Sequence, residues 1–365
     1  MNSNSKIYQR IAIKIGSNLL AGPDGSLNSD RIAHLVKQIA KLHKKGLQVI
    51  LISSGAVASG KGEFPLSKKT GEVASKQVWA AIGQVKLMAG YFSMFAKYGI
   101  QAAQVLTTKE NFGDRRHYLN MKSCISAMLE NEVLPIVNEN DTIAVTELMF
   151  TDNDELSGLI AAMMNCQALF ILSNVDGVYT GVPGTEGAEL IPLINSSDKN
   201  IYKHISPVKS GFGRGGMLTK FSIAQKIASQ GIEVFIANGT RNNILTDIID
   251  GKEVPFSKFI PSLKKVNGVK KWLLHSDTFA KGAVTVNKGA EQALNADKAS
   301  SLLTVGIQNV EGFFEKGDIV KVVNTEGKIL GIGKSQYSSE EAVKTIGQKR
   351  SKPFIHYDYL VLNEK

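Results

Sequence analysis

Ile11-Ala12-Ile13-Lys14-Ile15-Gly16-Ser17 decides the reading of this chain. Five residues of strand-forming character end in a glycine and a serine, and a lysine stands among them. Downstream, Ile32, Leu35, Val36, Ile39 and Leu42 recur at helical spacing. Asn28 or Ser29 supplies the N-cap of that helix and Gly46 its C-terminal stop. Val49–Ile52 is then a second near-continuous apolar run, and Val133–Val137, Ala168–Leu172 and Val234–Ala237 repeat the pattern with helical stretches between them. Strands that are apolar on both faces, alternating with helices, predict an α/β domain with a mainly parallel sheet sandwiched by helices. Ligands of such sheets bind beyond the carboxyl ends of the strands. The polar segments that follow each apolar run are therefore the candidate site.

The pattern changes between Pro255 and Leu263. After Lys270, short strand-like runs, Ala283–Val286, Ile319–Val323 and Ile329–Ile332, are separated by glycines. This predicts a small C-terminal β-rich domain. The expected boundaries are 1–262 for the α/β domain and 270–360 for the smaller one.

Composition narrows the function class. The 365 residues are 43% hydrophobic and 21% charged, as a chain with a large core requires. No run approaches the roughly 20 apolar residues of a membrane span, and Met1–Arg10 lacks the apolar segment of a signal peptide. A cytoplasmic protein without a membrane partner is expected. Cys124 and Cys166 have no metal-ligand spacing and read as small buried hydrophobes in a reducing compartment. The net charge is +10, and residues 263–365 hold 16 basic against 11 acidic residues without a long Lys/Arg run. That is weak as a nucleic-acid footprint.

Six segments can carry chemistry. Lys14 either has an anionic partner or faces water from an edge strand. Ser53-Ser54-Gly55-Ala56 can present backbone N–H groups to an anion or form an ordinary tight turn. Asn138-Glu139-Asn140-Asp141 can hold an ammonium group or cap the next helix. Thr151-Asp152-Asn153-Asp154-Glu155 precedes the helical pattern Leu156–Met164. It suits capping, Mg²⁺ or the orientation of a cationic side chain. Ser173-Asn174-Val175-Asp176-Gly177-Val178-Tyr179 suits a nucleotide edge. Gly211–Lys220 contains GxGxxG, but no apolar strand precedes it, so a dinucleotide site is disfavoured. A glycine loop opening a helix still places backbone amides and Lys220 against phosphates. Gly331-Ile332-Gly333-Lys334-Ser335 mimics the end of a P-loop but has Lys328 where the motif needs glycine, and reads as strand and turn.

Taken in order, these segments resemble the amino acid kinase family, and most closely its glutamate-phosphorylating branch. The resemblance rests on Lys-Ile-Gly-Ser, Ser-Ser-Gly-Ala, Asn-Glu-Asn-Asp, Asp-Asn-Asp, Asp-Gly-Val-Tyr and Gly-Gly-Met-x-Thr-Lys. The tail resembles a PUA domain through Val286–Ala290, Ser301–Gly306 and Val310–Asp318. The resemblance implies ATP-dependent phosphorylation of the glutamate γ-carboxylate, the first step towards proline, with ATP and Mg²⁺. It implies Lys14 and Lys220 either side of the transferring phosphoryl group, with Asp154 orienting both. Ser54, Asp141 and Asn153 match glutamate-binding positions. Lys14, Ser173, Asn174, Arg214, Gly215, Gly216, Met217, Leu218, Thr219 and Lys220 match ATP-binding stretches. The resemblance departs at two positions: the family usually has Asp where this chain has Asn174, and Thr where it has Arg214.

The resemblance further implies a homo-oligomer, proline as feedback inhibitor and hand-over of the acyl phosphate to glutamyl-phosphate reductase. Three rivals remain. One is a sister kinase of acetylglutamate or aspartate. Another is an RNA-binding protein acting through the PUA-like domain, which Lys14, Asp154 and Lys220 argue against. The last is an NAD-dependent enzyme, which the missing strand disfavours.

Overall fold

The computed structural model describes residues 8–20, 22, 27–67, 70–143, 153–195, 198, 216–263, 270, 272–273, 279–296, 300–348 and 352–363. The chain divides into two compact units, Met1–Lys265 and Val266–Lys365.

In the first unit, β1 (Arg10–Ile15) is followed by the short turn of helix α1 (Ser17–Leu20), then α2 (Ser29–Lys44) and β2 (Gln48–Ile52). Asn28 caps α2, its side chain accepting from the Arg31 N–H. The helix lays Ile32, Leu35, Val36, Ile39 and Leu42 into the core. Gly46 adopts φ 84° just past its end, where a residue with a Cβ would be strained. Next come α3 (Ala56–Glu63), α4 (Glu72–Ala96), β3 (Ala102–Thr107), α5 (Glu110–Gly113), α6 (Arg115–Glu130) and β4 (Leu134–Glu139). They are followed by α7 (Asn153–Met163), β5 (Ala168–Ser173) and β6 (Leu193–Asn195). The last elements are α8 (Met217–Ala228), β7 (Glu233–Asn238), α9 (Ile244–Ile249) and β8 (Phe256–Ile260).

These strands form an eight-stranded sheet in the order β3-β4-β2-β1-β5-β7-β8-β6. Among the described residues its pairings are parallel except β7 against β8. Five of the strands are the apolar runs expected from sequence. β3, β6 and β8 were not expected. β3 is an edge strand whose residues alternate between buried and exposed, so it never shows a continuous apolar run. β1 lies in the middle of the sheet, pairing Lys14 with Ile52 on one side and Ile171 on the other. The edge-strand explanation of Lys14 is thereby excluded.

Phe170 of β5 stacks on Phe235 of β7 at 4.8 Å between ring centroids, within a core that also holds Ile11, Ile13, Leu51, Tyr91 and Phe95. Cys166 is buried as expected. Cys124 is exposed, because α6 turns that position to solvent, and is not the buried hydrophobe the sequence suggested.

The second unit carries a five-stranded sheet ordered β10-β9-β11-β12-β13. Its strands are β9 (Gly282–Val286), β10 (Ile307–Gly312), β11 (Ile319–Val323), β12 (Ile329–Lys334) and β13 (Leu360–Leu362). Helices α10 (Lys288–Leu294) and α11 (Ser339–Thr345) accompany it. A separate core of Val284, Val286, Val320, Val322, Phe314 and Phe354 holds it together. Gly331–Ser335 belongs to β12 and the residue after it, as expected. α11 begins with a full capping box, Ser338 with Glu341.

Candidate active site

The ends of β1, β2, β4, β5 and β7 lie along one edge of the parallel sheet. The residues singled out from sequence stand there. Lys14, one residue before the end of β1, is 2% exposed. Its Nζ lies 2.6 Å from Oδ1 of Asp154, which is fully buried in the first turn of α7. The other oxygen of the same carboxylate, Oδ2, accepts from Lys220 Nζ at 2.9 Å. One carboxylate thus holds two ammonium groups, one from a strand end and one from the start of α8. Taken by themselves the three charges sum to +1. Removing them from water is costly unless further negative charge completes the site.

The packing of two helices brings this cluster together. Gly158, one turn after Asp154, faces Ile227 and Ile223 of α8, and a Cβ at Gly158 would lie 3.0 Å from Ile227 Cδ1 and Cγ1. α7 and α8 approach closely there, and their first turns bring Asp154 and Lys220 into contact. Ser157 Oγ donates to the Asp154 carbonyl at 2.7 Å, closing the first turn of α7. The backbone of Gly16 lies over the Lys14 ammonium, with a hypothetical Cβ 3.6 Å from Nζ. A side chain there would cover the charge.

A second group forms beside it. Asn153 Nδ2 donates to Ser54 Oγ at 2.8 Å, while Asn153 Oδ1 is buried with no hydrogen-bond partner among the described residues. A buried, unsatisfied carbonyl oxygen is costly and fits a ligand donor. Ser54 is placed by its neighbours. Ser53 N–H donates to the Val137 carbonyl and Ser53 Oγ lies 3.0 Å from Tyr91 OH. Gly55 takes φ 96°, which opens α3. Burial pushes the Tyr91 phenol well above its usual range, so it stays protonated. Asp141 lies in the turn leaving β4, where Asn140 N–H donates to the Thr107 carbonyl of the neighbouring strand.

Ser173 and Asn174 leave β5 beside Asn238 and Gly239 at the end of β7. Gly239 N–H donates to the Ser173 carbonyl at 2.9 Å. Gly216 is the extended N-cap of α8 and makes no side-chain cap. Met217, Leu218, Thr219 and Lys220 form its first residues, so the N–H groups of that turn point towards the same edge. Arg214 and Gly215, like Thr151 and Asp152, lie outside the described residues. Two features escaped the sequence reading. Gln84, in the middle of α4, accepts from Asn138 Nδ2 at 2.8 Å, both side chains being buried. Its signal was a polar residue at the buried phase of an apolar helix. The other is Arg241, which holds Asp176 and looked like an ordinary loop residue.

Residues 9–238 match the family described as the amino acid kinase family, and residues 282–354 match the PUA domain. The chain belongs to the amino acid kinase family, and within it to the glutamate 5-kinases. It is 52% identical to the protein named glutamate 5-kinase from Bacteroides thetaiotaomicron, over 97% of this chain and 99% of that one. It is 47% identical to the protein of the same name from Chlorobaculum tepidum, over 99% of each. Another, from Dehalococcoides mccartyi, is 38% identical over 94% of this chain and 92% of its own length. The likeness spans both the kinase portion and the PUA domain, as expected from the order of the motifs. It removes the dinucleotide-enzyme alternative. Among the described residues no helix is long and apolar enough to cross a membrane.

Among the described residues no group of three or more His, Cys, Asp or Glu side chains gathers to hold a metal. Both oxygens of Asp154 are engaged by lysines. The described carboxylates therefore do not build a magnesium cage.

Proposed function

We propose that this chain transfers the γ-phosphoryl group of ATP to the γ-carboxylate of glutamate, giving glutamyl 5-phosphate for proline biosynthesis in the cytoplasm. The observation that carries this reading is the buried Asp154 carboxylate, with one oxygen on Lys14 and the other on Lys220. It fixes two ammonium groups at the carboxyl edge of a parallel sheet.

The chemistry asks for little else. A carboxylate is already a nucleophile, so no general base is needed. The barrier lies in bringing two anions together and stabilising charge that spreads during transfer. Phosphoryl transfer is mainly positioning and electrostatics, and prearranged ammonium and amide donors supply both. Lys14 would hold the phosphoryl oxygens from the strand side, and Lys220 from the helix side. Asp154 keeps the two lysines at fixed separation and offsets their mutual repulsion. The Ser54–Asn153 pair, with its unsatisfied carbonyl oxygen, and Asp141 would take glutamate, Asp141 meeting the α-ammonium. Ser173, Asn174 and residues 214–220 would take the nucleotide. Mg²⁺ would arrive on the phosphates, which commonly carry it with few protein ligands.

The product is an acyl phosphate that water destroys. Transfer to a glutamyl-phosphate reductase would protect it. Proline as an inhibitor, a homo-oligomeric state and the division into a kinase domain of residues 1–262 and a PUA domain near 270–360 belong to the same proposal.

The test is ATP-dependent acyl hydroxamate formation with glutamate, aspartate and N-acetylglutamate as competing acceptors. The reading expects turnover with glutamate well above the other two. A preference for either of the others would reassign the chain to a sister activity of the same fold.

A further inference from the structure

We infer that Arg241 and Asp176 are positioning residues for the nucleotide, their ion pair locking the loop after β5 against the loop after β7. The inference rests on the ATP placement proposed above.

Arg241 Nε donates to Asp176 Oδ1 at 2.5 Å and Arg241 Nη2 to Asp176 Oδ2 at 2.8 Å, a two-pronged pair between residues 65 apart. Such a fork fixes direction as well as distance. Asp176 lies three residues beyond Ser173 and two beyond Asn174, the proposed nucleotide contacts. Both sides of the clamp are tied to the sheet. On the β5 side, Val178 N–H donates to Ser257 Oγ at 2.8 Å, and a Cβ on Gly177 would collide with Ser257. On the β7 side, Asn238 Oδ1 accepts from the Thr240 N–H and hydroxyl, and Gly239 N–H donates to Ser173 O. Gly239 also packs so closely on Leu19 that a Cβ would lie 2.6 Å from Leu19 Cδ1. Leu19 belongs to α1, the turn that follows Lys14 and Gly16. The β7 loop therefore touches both the phosphate side and the nucleotide side of the edge.

Those anchors hold the base of the β5 loop without Arg241. What the pair adds is control of the outer stretch, Asn174–Asp176. The Arg241 side chain is 46% exposed, so the pair contributes little to global stability. A contact of small value to the fold that orients a ligand loop from two directions is expected to act on binding.

The test compares the wild-type chain with Arg241→Gln, Asp176→Asn and the double variant. It measures Kd for ATP by calorimetry, KM for ATP and for glutamate, kcat and Tm. Each single variant should weaken ATP about fivefold, the worth of one such pair. KM for glutamate and kcat should stay within about twofold, and the double variant should cost clearly less than the sum of the singles, since both break the same Arg241–Asp176 pair. Arg241→Lys keeps the charge without the fork and should fall between. It carries the test if Arg241→Gln does not fold. Unchanged ATP affinity in the singles would overturn the inference. So would a parallel change in both KM values and kcat together with a lowered Tm. A wild-type chain that binds ATP but does not phosphorylate glutamate would sink the reading of the function instead. The calorimetric comparison would then still decide on the pair.

Discussion

Gly158 of α7 stands tightly against Ile227 of α8, a Cβ there falling 3.0 Å from two Ile227 side-chain carbons, which would have to give way. This contact sets the separation of the two helices whose first turns carry Asp154 and Lys220. Gly158→Val should force the helices apart at a cost of about 1–3 kcal/mol, the usual range for overpacking. It should also lower kcat more than it raises either KM, because the Asp154–Lys220 contact loosens. Gly158→Ala should do the same more weakly. Calorimetric Tm alongside kcat checks this. A variant that is destabilised but keeps full kcat would separate the helix contact from the site.

Asp141 offers the glutamate test. Its carboxylate is the proposed partner of the α-ammonium, which glutamate has and ATP lacks. Asp141→Ala should raise KM for glutamate by about tenfold or more, the worth of a charge-assisted hydrogen bond, with KM for ATP little changed. Equal loss of both affinities would place Asp141 outside the glutamate pocket.

Acid should act on the Asp176–Arg241 pair. The hydrogen bond from Arg241 is the largest influence holding the Asp176 carboxyl below the usual carboxylate range, opposed in part by burial and supported by Asn238 and Tyr179. The folded state therefore binds that proton less readily than the unfolded chain. The stability contributed is fully present above the unfolded value of about 3.9 and is lost as pH falls through the folded value. The Tm difference between wild type and Asp176→Asn should be constant near neutral pH and shrink below about pH 4. A difference that persists unchanged to about pH 3 would contradict this origin.

The kinase portion has its own sheet and its own core. A chain ending at Leu263 should fold and keep glutamate-dependent ATP turnover. If such a fragment folds but is inactive, the PUA-containing part belongs to the catalytic unit.

The sequence exposed some parts of this molecule and hid others for physical reasons. β1, β2, β4, β5 and β7 were visible because central parallel strands are apolar on both faces. β3 was hidden because an edge strand alternates. Lys14 was visible as a charge inside an apolar run. Its partner Asp154 was legible only through the family resemblance, since spacing along a chain does not show which strand end meets which helix start. Lys220 and Asp154 lie 66 residues apart. Gly158 was hidden for a different reason, because a glycine inside a helix looks like a weakness until the neighbouring helix is seen. Arg241 sits in a polar loop where arginine is ordinary, and only the fork on Asp176 distinguishes it.

The central claim is that the ammonium group of Lys220, fixed by Asp154 opposite Lys14, stabilises the transferring phosphoryl group. The most direct measurement is kcat for glutamyl hydroxamate formation by Lys220→Met, with glutamate binding and Tm measured on the same preparation. An electrostatic group that acts mainly in the transition state should cost about 10²–10³-fold in kcat when removed, while the variant folds and binds glutamate normally. Lys220→Arg should recover only part, since a planar fork does not replace a compact charge. A Lys220→Met variant with near-normal kcat would contradict the account and leave Lys220 a helix lysine that merely accompanies Asp154.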